Sequence, residues 1–258
     1  MSSASGKVAI IIQARMGSTR LPGKSLILIE GKPIIWHVVE RAKHSKQADS
    51  ILLATTTEKS DDELEKFCNA ASIPCFRGNL EDVLDRYYNA AKSCSAGIIV
   101  RITGDSPLVD PALIDKAVML LKKGKLDYAA NTEQPWMDGF DVEAFTFSAL
   151  ERAWKEAAMS SEREHVTLHI RNSPLFKKEF IKNDPRLEHV QCSIDRVNDL
   201  KFVSEVYKLL LKKGLDHKFS YKDVIALLEE NPQLLKINSE SIVNEGMYKS
   251  IREDRKVK

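Results

Sequence analysis

The chain has 258 residues, 43% of them hydrophobic, ample for one substantial core, and its 39 basic and 37 acidic residues leave a net charge of only +2. That balance gives no electrostatic case for nucleic acid as the main partner, and no apolar run approaches the roughly 18–20 residues that cross a bilayer. Residues 1–7 are small and polar, unlike a signal peptide, and Cys68, Cys75, Cys94 and Cys192 form no C-x-x-C pair; a cytoplasmic protein with reduced, structural cysteines and no zinc site is expected.

Residues 8–13 open as a continuous apolar run, the pattern of a strand buried on both faces. Directly after it the chain reads Gln13-Ala-Arg-Met-Gly-Ser-Thr-Arg-Leu-Pro-Gly-Lys-Ser25. Arg15, Arg20 and Lys24 crowd three cations into a loop with Gly17 and Gly23. Glycine lets backbone N–H groups approach a ligand, and Arg and Lys neutralise phosphate oxygens. Such a loop can cradle a nucleoside triphosphate; a basic surface loop without catalytic consequence is the alternative. A P-loop is excluded. It needs four residues between its first Gly and Gly-Lys-Ser/Thr, whereas five, Ser18 to Pro22, lie here. A P-loop lysine also opens a helix, and Lys24 is followed by a short β-leaning stretch closed by Gly31-Lys-Pro33.

Further along, apolar spacing predicts a helix over 33–44, a buried strand over 50–54, and a helix over 61–71 capped by Ser60 with Glu63. A short strand at 73–76 and a helix over 79–93 capped by Asn79 follow. A buried strand at 98–102, a helix over 111–123 opened by Pro111 and a short strand at 127–131 complete the alternation. Such βαβα order implies an α/β fold with a mainly parallel sheet and helices on both faces, with ligands at the carboxyl ends of the strands. Later come a strand at 142–147, a helix over 148–158, and a helix from Ser161, in a capping box with Glu164, to about Arg171. Strands at 176–181 and 190–194 and helices over 199–213, 221–230 and 240–252 end the chain. No linker or repeat interrupts it, so one domain, 1–258, is expected.

A triphosphate site calls for Mg²⁺, which takes carboxylate ligands. Thr103-Gly-Asp-Ser-Pro-Leu108 leaves a strand end, and Asp105 there is either a metal ligand or the cap of its own Asx-turn. Asp195 closes the run 190–194 and reads equally as a turn or cap residue. Arg77-Gly78 is a candidate nucleoside-contacting turn. Asp138, Asp141 and Glu143 form an acidic cluster beside Trp136, suited to gripping a polyol or simply a polar turn. Asn131, Arg163 and His165 are further acceptor-side candidates. His165 and His169 are spaced i, i+4, but no third ligand stands near.

The stretch Gln13–Lys24 resembles the signature of the sugar-acid cytidylyltransferases, the acylneuraminate and 3-deoxy-manno-octulosonate enzymes among them. Asp82-Val-Leu-Asp-Arg-Tyr-Tyr88, Arg101-Ile-Thr-Gly-Asp-Ser-Pro-Leu108, Asp138-Gly-Phe-Asp-Val-Glu143 and Ser161-Glu-Arg-Glu-His-Val-Thr167 extend the resemblance, most closely to the spore coat polysaccharide biosynthesis branch. The resemblance implies a nucleotide-diphospho-sugar transferase (GT-A-like) fold and a Mg²⁺-dependent enzyme activating a sugar acid with CTP, for surface polysaccharide or glycan biosynthesis. By motif position Gln13, Ala14, Arg15, Gly17, Ser18, Arg20, Lys24, Arg77 and Asp105 would bind the nucleotide. Arg15, Lys24 and Asp105 would be catalytic, and Asp105 and Asp195 would hold the metal. Asn131, Asp138, Asp141, Arg163 and His165 would meet the acceptor. Residues 1–131 would then be the nucleotide-binding half, 132–200 the acceptor and metal half, and 201–258 a helical C-terminal part, in an enzyme whose relatives often dimerise. A glycosyltransferase on the same fold, or a non-catalytic nucleotide-binding homologue, is the alternative reading. The Asp-x-Asp motif usual in glycosyltransferases has no convincing match here.

Overall fold

The computed structural model describes residues 6–132, 136–182 and 189–257. Its frame is a seven-stranded sheet among the described residues, ordered β5-β4-β1-β6-β8-β7-β9. The strands are β1 (Val8–Gln13), β4 (Ser50–Thr56), β5 (Cys75–Gly78), β6 (Ile98–Thr103), β7 (Tyr128–Ala130), β8 (Glu143–Thr146) and β9 (Lys178–Phe180); β2 (Leu28–Ile29) and β3 (Lys32–Pro33) form a separate small hairpin. The N-terminal strands pair in parallel, as does β7 with β9, while β8 runs antiparallel to both β6 and β7.

β1 lies at the centre and is buried on both faces. Val8, Ile10 and Ile12 enter one apolar core; Ala9 and Ile11 enter the other, as the two-residue period of a strand requires. The first core packs under α1 (Ile34–Ala42), α4 (Pro111–Gly124), α8 (Val197–Lys212) and α9 (Tyr221–Glu230). The second packs under α3 (Val83–Ser93) and α5 (Phe147–Glu156). Each of these helices buries an apolar stripe in its core, so burial rather than intrinsic propensity holds the layers. All four cysteines are free, and among the described residues no helix is long and apolar enough to cross a membrane.

Several element edges differ from the sequence reading because side chains were diverted. α2 (Asp62–Ala70) begins after a 3₁₀ turn, Lys59–Asp61, and Ser60 does not cap it. Asp61 instead points inward and accepts the Met16 amide at 2.7 Å and the Thr56 amide at 3.1 Å. Asn79 accepts the Glu81 and Asp82 amides, both at 2.9 Å, in an Asx turn; the cap of α3 is Asp82, which accepts the Asp85 amide at 2.9 Å. The single helix expected from Ser161 to Arg171 is two, α6 (Ser160–Glu164) and α7 (Leu168–Asn172), separated at Val166, whose φ is +50°. A β-branched residue in that region is strained. The break is held by full burial of Val166 and by the Thr167 hydroxyl, which donates to Glu143 at 2.5 Å. His165 and His169 therefore do not share one helix, and His169 bonds Glu162 at 3.0 Å. The expected capping box is replaced too: Glu162 accepts the Ala158 and Met159 amides, at 2.9 and 3.1 Å.

Residues 190–194 form no strand. They lie against the loop of Asp138, bridged at Gln191, with the Cys192 amide donating to the Asp138 carbonyl at 2.9 Å. The last helix, α10, is shorter than expected, Glu245–Arg252.

Candidate active site

β1 and β6 are neighbours in register, Gln13 opposite Thr103, so the loops that follow them leave the sheet side by side. The Gly104 amide donates to the Gln13 carbonyl at 2.8 Å. A Cβ at Gly104 would stand 2.8 Å from the Ala14 Cβ and 2.9 Å from the Gln13 oxygen, so only glycine permits this approach. Asp61 anchors the first loop through the Met16 amide. Gly23, at φ +71°, turns the chain back so that its amide donates to the Met16 carbonyl at 3.0 Å. Lys24 then begins a three-residue 3₁₀ turn, not a helix.

Both loops open into one cavity of about 790 Å³, where the Lys24 ammonium is the focus. It donates to Asp105 Oδ2 at 2.7 Å, to Asp195 Oδ1 at 2.9 Å and to the Ile194 carbonyl at 2.7 Å. Arg20 takes the other oxygen of Asp195 at 2.6 Å and reaches Glu245 at 3.2 Å. Burial works against the Lys24 charge, yet Asp105 and Asp195 outweigh it and hold the ammonium above its ordinary pKa. Burial likewise pushes the Asp195 carboxyl up, but Lys24 and Arg20 prevail and hold it below the ordinary value. Both groups are charged at neutral pH. The Arg15 side chain also lines the cavity and has no hydrogen-bond or ion-pair partner among the described residues.

Asp195 is itself held from behind. Buried Asp199 accepts the Asp195 and Arg196 amides at 3.1 and 2.8 Å, and the Ile194 amide donates to the Asp105 carbonyl at 2.9 Å. The two carboxylates thus belong to one backbone framework.

Gln13, Ala14, Arg15, Ser18, Arg20, Lys24, Asp105, His165 and Asp195 line the cavity together. Burial lowers the His165 imidazole below its ordinary value, so the ring is neutral at pH 7. The other expected site residues stand elsewhere. Gly17 is exposed, and a Cβ there would meet nothing within 4 Å. Arg77 is consumed as a clamp, donating to the Thr56 and Glu58 carbonyls at 2.8 Å and pairing with Asp62 and Glu65 at 2.8 Å. Arg163 pairs with Asp82 and donates to the Trp154 carbonyl at 2.7 Å, tying α6 to the cap of α3. Asn131 is fully buried, donating to the Phe140 carbonyl at 2.9 Å and accepting the Val142 amide at 2.8 Å.

Asp138 and Asp141 are half-buried and are not among the residues that line the cavity. Burial and the neighbouring Asp141 push the Asp138 carboxyl well above its usual range, and burial raises Asp141; two carboxyls so close do not both ionise freely. Asp138 bonds the Ser193 hydroxyl, and Gly139, at φ +89°, lies so near this segment that a Cβ would stand 2.5 Å from the Ser193 nitrogen. The acidic loop shores up the segment that carries Asp195. Trp136 is equally committed, its indole donating to the Ile181 carbonyl at 3.2 Å.

Sequence reasoning gave no site role to Arg86, Arg101 or the C-terminal helix, all of which line the cavity. The signal for the arginines was a cation inside an apolar pattern. Arg86 is 3% exposed on the buried face of α3 and donates to the Asn79 carbonyl at 2.8 Å. Arg101 interrupts the apolar run of β6, pairs with Glu143 and donates to the Gln13 side chain at 3.1 Å. The C-terminal helix carries no comparable signal.

Among the described residues no group of three or more His, Cys, Asp and Glu side chains could hold a metal ion. The chain offers two carboxylates that already converge on one cation. Hard oxygen donors in that number suit Mg²⁺, which keeps water and phosphate oxygens for its remaining positions.

Residues 9–242 match the family model described as Cytidylyltransferase. The spore coat polysaccharide biosynthesis protein SpsF of Bacillus subtilis is 34% identical over 233 residues, 87% of this chain and 95% of that protein. The 3-deoxy-manno-octulosonate cytidylyltransferase of Chloroherpeton thalassium is 40% identical over 114 residues, 44% of this chain and 45% of that enzyme. The solved structure of a cytidylyltransferase from Leptospira borgpetersenii superposes with a TM-score of 0.83 at 34% identity, over 92% of this chain and 98% of that one.

Proposed function

Because the chain belongs to the cytidylyltransferase family, we propose that it transfers the cytidylyl group of CTP to a hydroxyl of a sugar acid, releasing pyrophosphate, as a step in surface polysaccharide or glycan synthesis. The observation that carries this reading is the convergence of Lys24 and Arg20 on Asp195, with Lys24 also on Asp105, beside the unpartnered Arg15.

In the reaction the acceptor oxygen forms a bond to the α-phosphorus and the bond to the β-phosphate oxygen breaks. Charge builds on the departing pyrophosphate, so fixed cations there lower the barrier. Arg15, Arg20 and Lys24 supply them. Asp105 and Asp195 would hold Mg²⁺, which supplies Lewis-acid stabilisation of the phosphates and of the attacking oxygen. Residues 1–131 thus bring the nucleotide loop and Asp105, and residues 132–200 bring Asp195.

Pyrophosphate release tests the proposal, with each of the four nucleoside triphosphates, Mg²⁺ and a panel of sugar acids that includes 3-deoxy-manno-octulosonate. CTP with one acid is expected to yield pyrophosphate and a CMP-sugar in equal amounts. No pyrophosphate from CTP with any acid would overturn the reading.

A further inference from the structure

Resting on that reading, we propose that the acceptor's subsite is the wall that α10 and the residues after it build against α6, with Lys249 and Arg255 taking the acceptor's carboxylate. The cavity has two sides. One is made by the strand-end loops already described; the other by Ser160, Glu164 and His165 together with residues of the stretch 246–255.

α10 is not there to fill a core. It buries no residue, and Tyr248 and Ile251 are 55% and 44% exposed. Polar ties hold it instead. Glu245 reaches Arg20 at 3.2 Å and Arg196 at 2.9 Å, and the Ser250 hydroxyl donates to Glu164 at 2.6 Å. Asp254 accepts from the Ser160 and Ser161 hydroxyls at 3.0 and 2.7 Å, and the Val257 amide donates to the Ala158 carbonyl at 2.8 Å.

Against this, Lys249 and Arg255 face the cavity with side chains that bond nothing among the described residues. Arg255 is fixed beside Ser160 by its backbone alone, its amide donating to the Ser160 hydroxyl at 3.1 Å and its carbonyl accepting the Ser160 amide at 2.8 Å. Glu245, Ser250 and Asp254 fasten the segment, while these two cations have no side-chain bond among the described residues.

Their surroundings match a polyhydroxy acid. Cations take a carboxylate, while Glu164, Glu253 and Ser160 on the same wall can accept or donate to hydroxyls. The triphosphate has its own cations in Arg15, Arg20 and Lys24. The carboxyls first expected to meet the acceptor, Asp138 and Asp141, are not among the residues that line the cavity. The C-terminal part of the wall lies past residue 242, where the match to the family model ends, so that part can differ between enzymes that share a nucleotide site.

Thermal-shift titration tests the subsite without turnover, using 3-deoxy-manno-octulosonate and N-acetylneuraminate as probes and CTP with Mg²⁺ as a separate arm. One acid is expected to stabilise the wild-type chain. In Lys249→Gln/Arg255→Gln its half-saturating concentration rises about tenfold or more, the loss of charge-assisted bonds, while the CTP response stays within about twofold of the wild type. Lys249→Arg keeps the acid response. Arg15→Ala gives the opposite pattern, weakening CTP and sparing the acid. An unchanged acid response in the double variant, or loss of its CTP response as well, would overturn the assignment. If CTP stabilises the wild type and neither acid does, the subsite falls and the nucleotide reading stands. If CTP itself has no effect, both fall.

Discussion

Lys24→Met is expected to lower kcat/KM for nucleotidyl transfer by about 10³-fold, the upper range for removing one preorganised donor from a developing anion. Among the described residues Lys24 is the one cation paired with both carboxylates, and its side chain is 13% exposed, so water replaces its charge poorly. The same substitution leaves Asp105 and Asp195, each about a quarter exposed, without the ammonium between them. Partial exposure discounts that electrostatic loss to about 1 kcal/mol. Mg²⁺ is therefore expected to raise the melting temperature of Lys24→Met more than that of the wild type, because the ion finds the two carboxylates unshared. Steady-state kinetics and melting with and without Mg²⁺ check both halves; a kcat/KM within about tenfold of the wild type would remove Lys24 from the chemistry.

The second large effect is on stability. Glu143 is 2% exposed and carries four partners: Arg101, the Tyr128 hydroxyl at 2.6 Å, the Thr167 hydroxyl at 2.5 Å, and the charge of Arg171. It sits in the register of β8 opposite Arg101 on one side and Ala130 on the other. Glu143→Ala leaves Arg101 without its ion-pair partner and two buried hydroxyls without their carboxylate acceptor, an expected cost of about 3–5 kcal/mol, or a fall of about 10 °C in melting temperature. Transfer activity falls with it, since Arg101 also donates to Gln13 at the mouth of the site. The pH dependence has a definite sign. Burial pushes the Glu143 carboxyl up, but Arg101 and then Arg171 outweigh it and hold it below its ordinary value of 4.5. A depressed carboxyl stabilises the fold above that ordinary value and loses its contribution as the pH falls through the lowered native one. The wild-type advantage over Glu143→Gln is thus complete at neutral pH and shrinks in acid below 4.5. Urea unfolding of the two proteins across that range checks it; a pH-independent difference would mean that the carboxylate is not charged in the fold.

The strands and main helices were legible because β1, β4 and β6 are buried on both faces and write apolar runs into the sequence. The cationic loop was legible because cations and glycines at a strand end have few other uses. Other features were hidden by pairing across long separations. Arg77 looks like a ligand contact until Asp62, Glu65 and two carbonyls claim it. Asp138 and Asp141 look like sugar ligands until the loop is seen folded against Ser193. The break between α6 and α7 depends on Thr167 meeting Glu143, 24 residues away. α10 and the residues after it gave no sign of their place because their ties run to Arg20, Glu164, Ser160 and Ser161, far back in the chain.

Calorimetric titration of CTP into the chain, with and without Mg²⁺, in the wild type and in Asp105→Asn/Asp195→Asn, tests most directly whether the loop cations and the two carboxylates form a single nucleotide–metal site. The expected result is that Mg²⁺ tightens CTP binding at least about tenfold in the wild type and leaves the double variant unaffected. An equal response to Mg²⁺ in the two proteins would place the metal elsewhere and contradict the site described above.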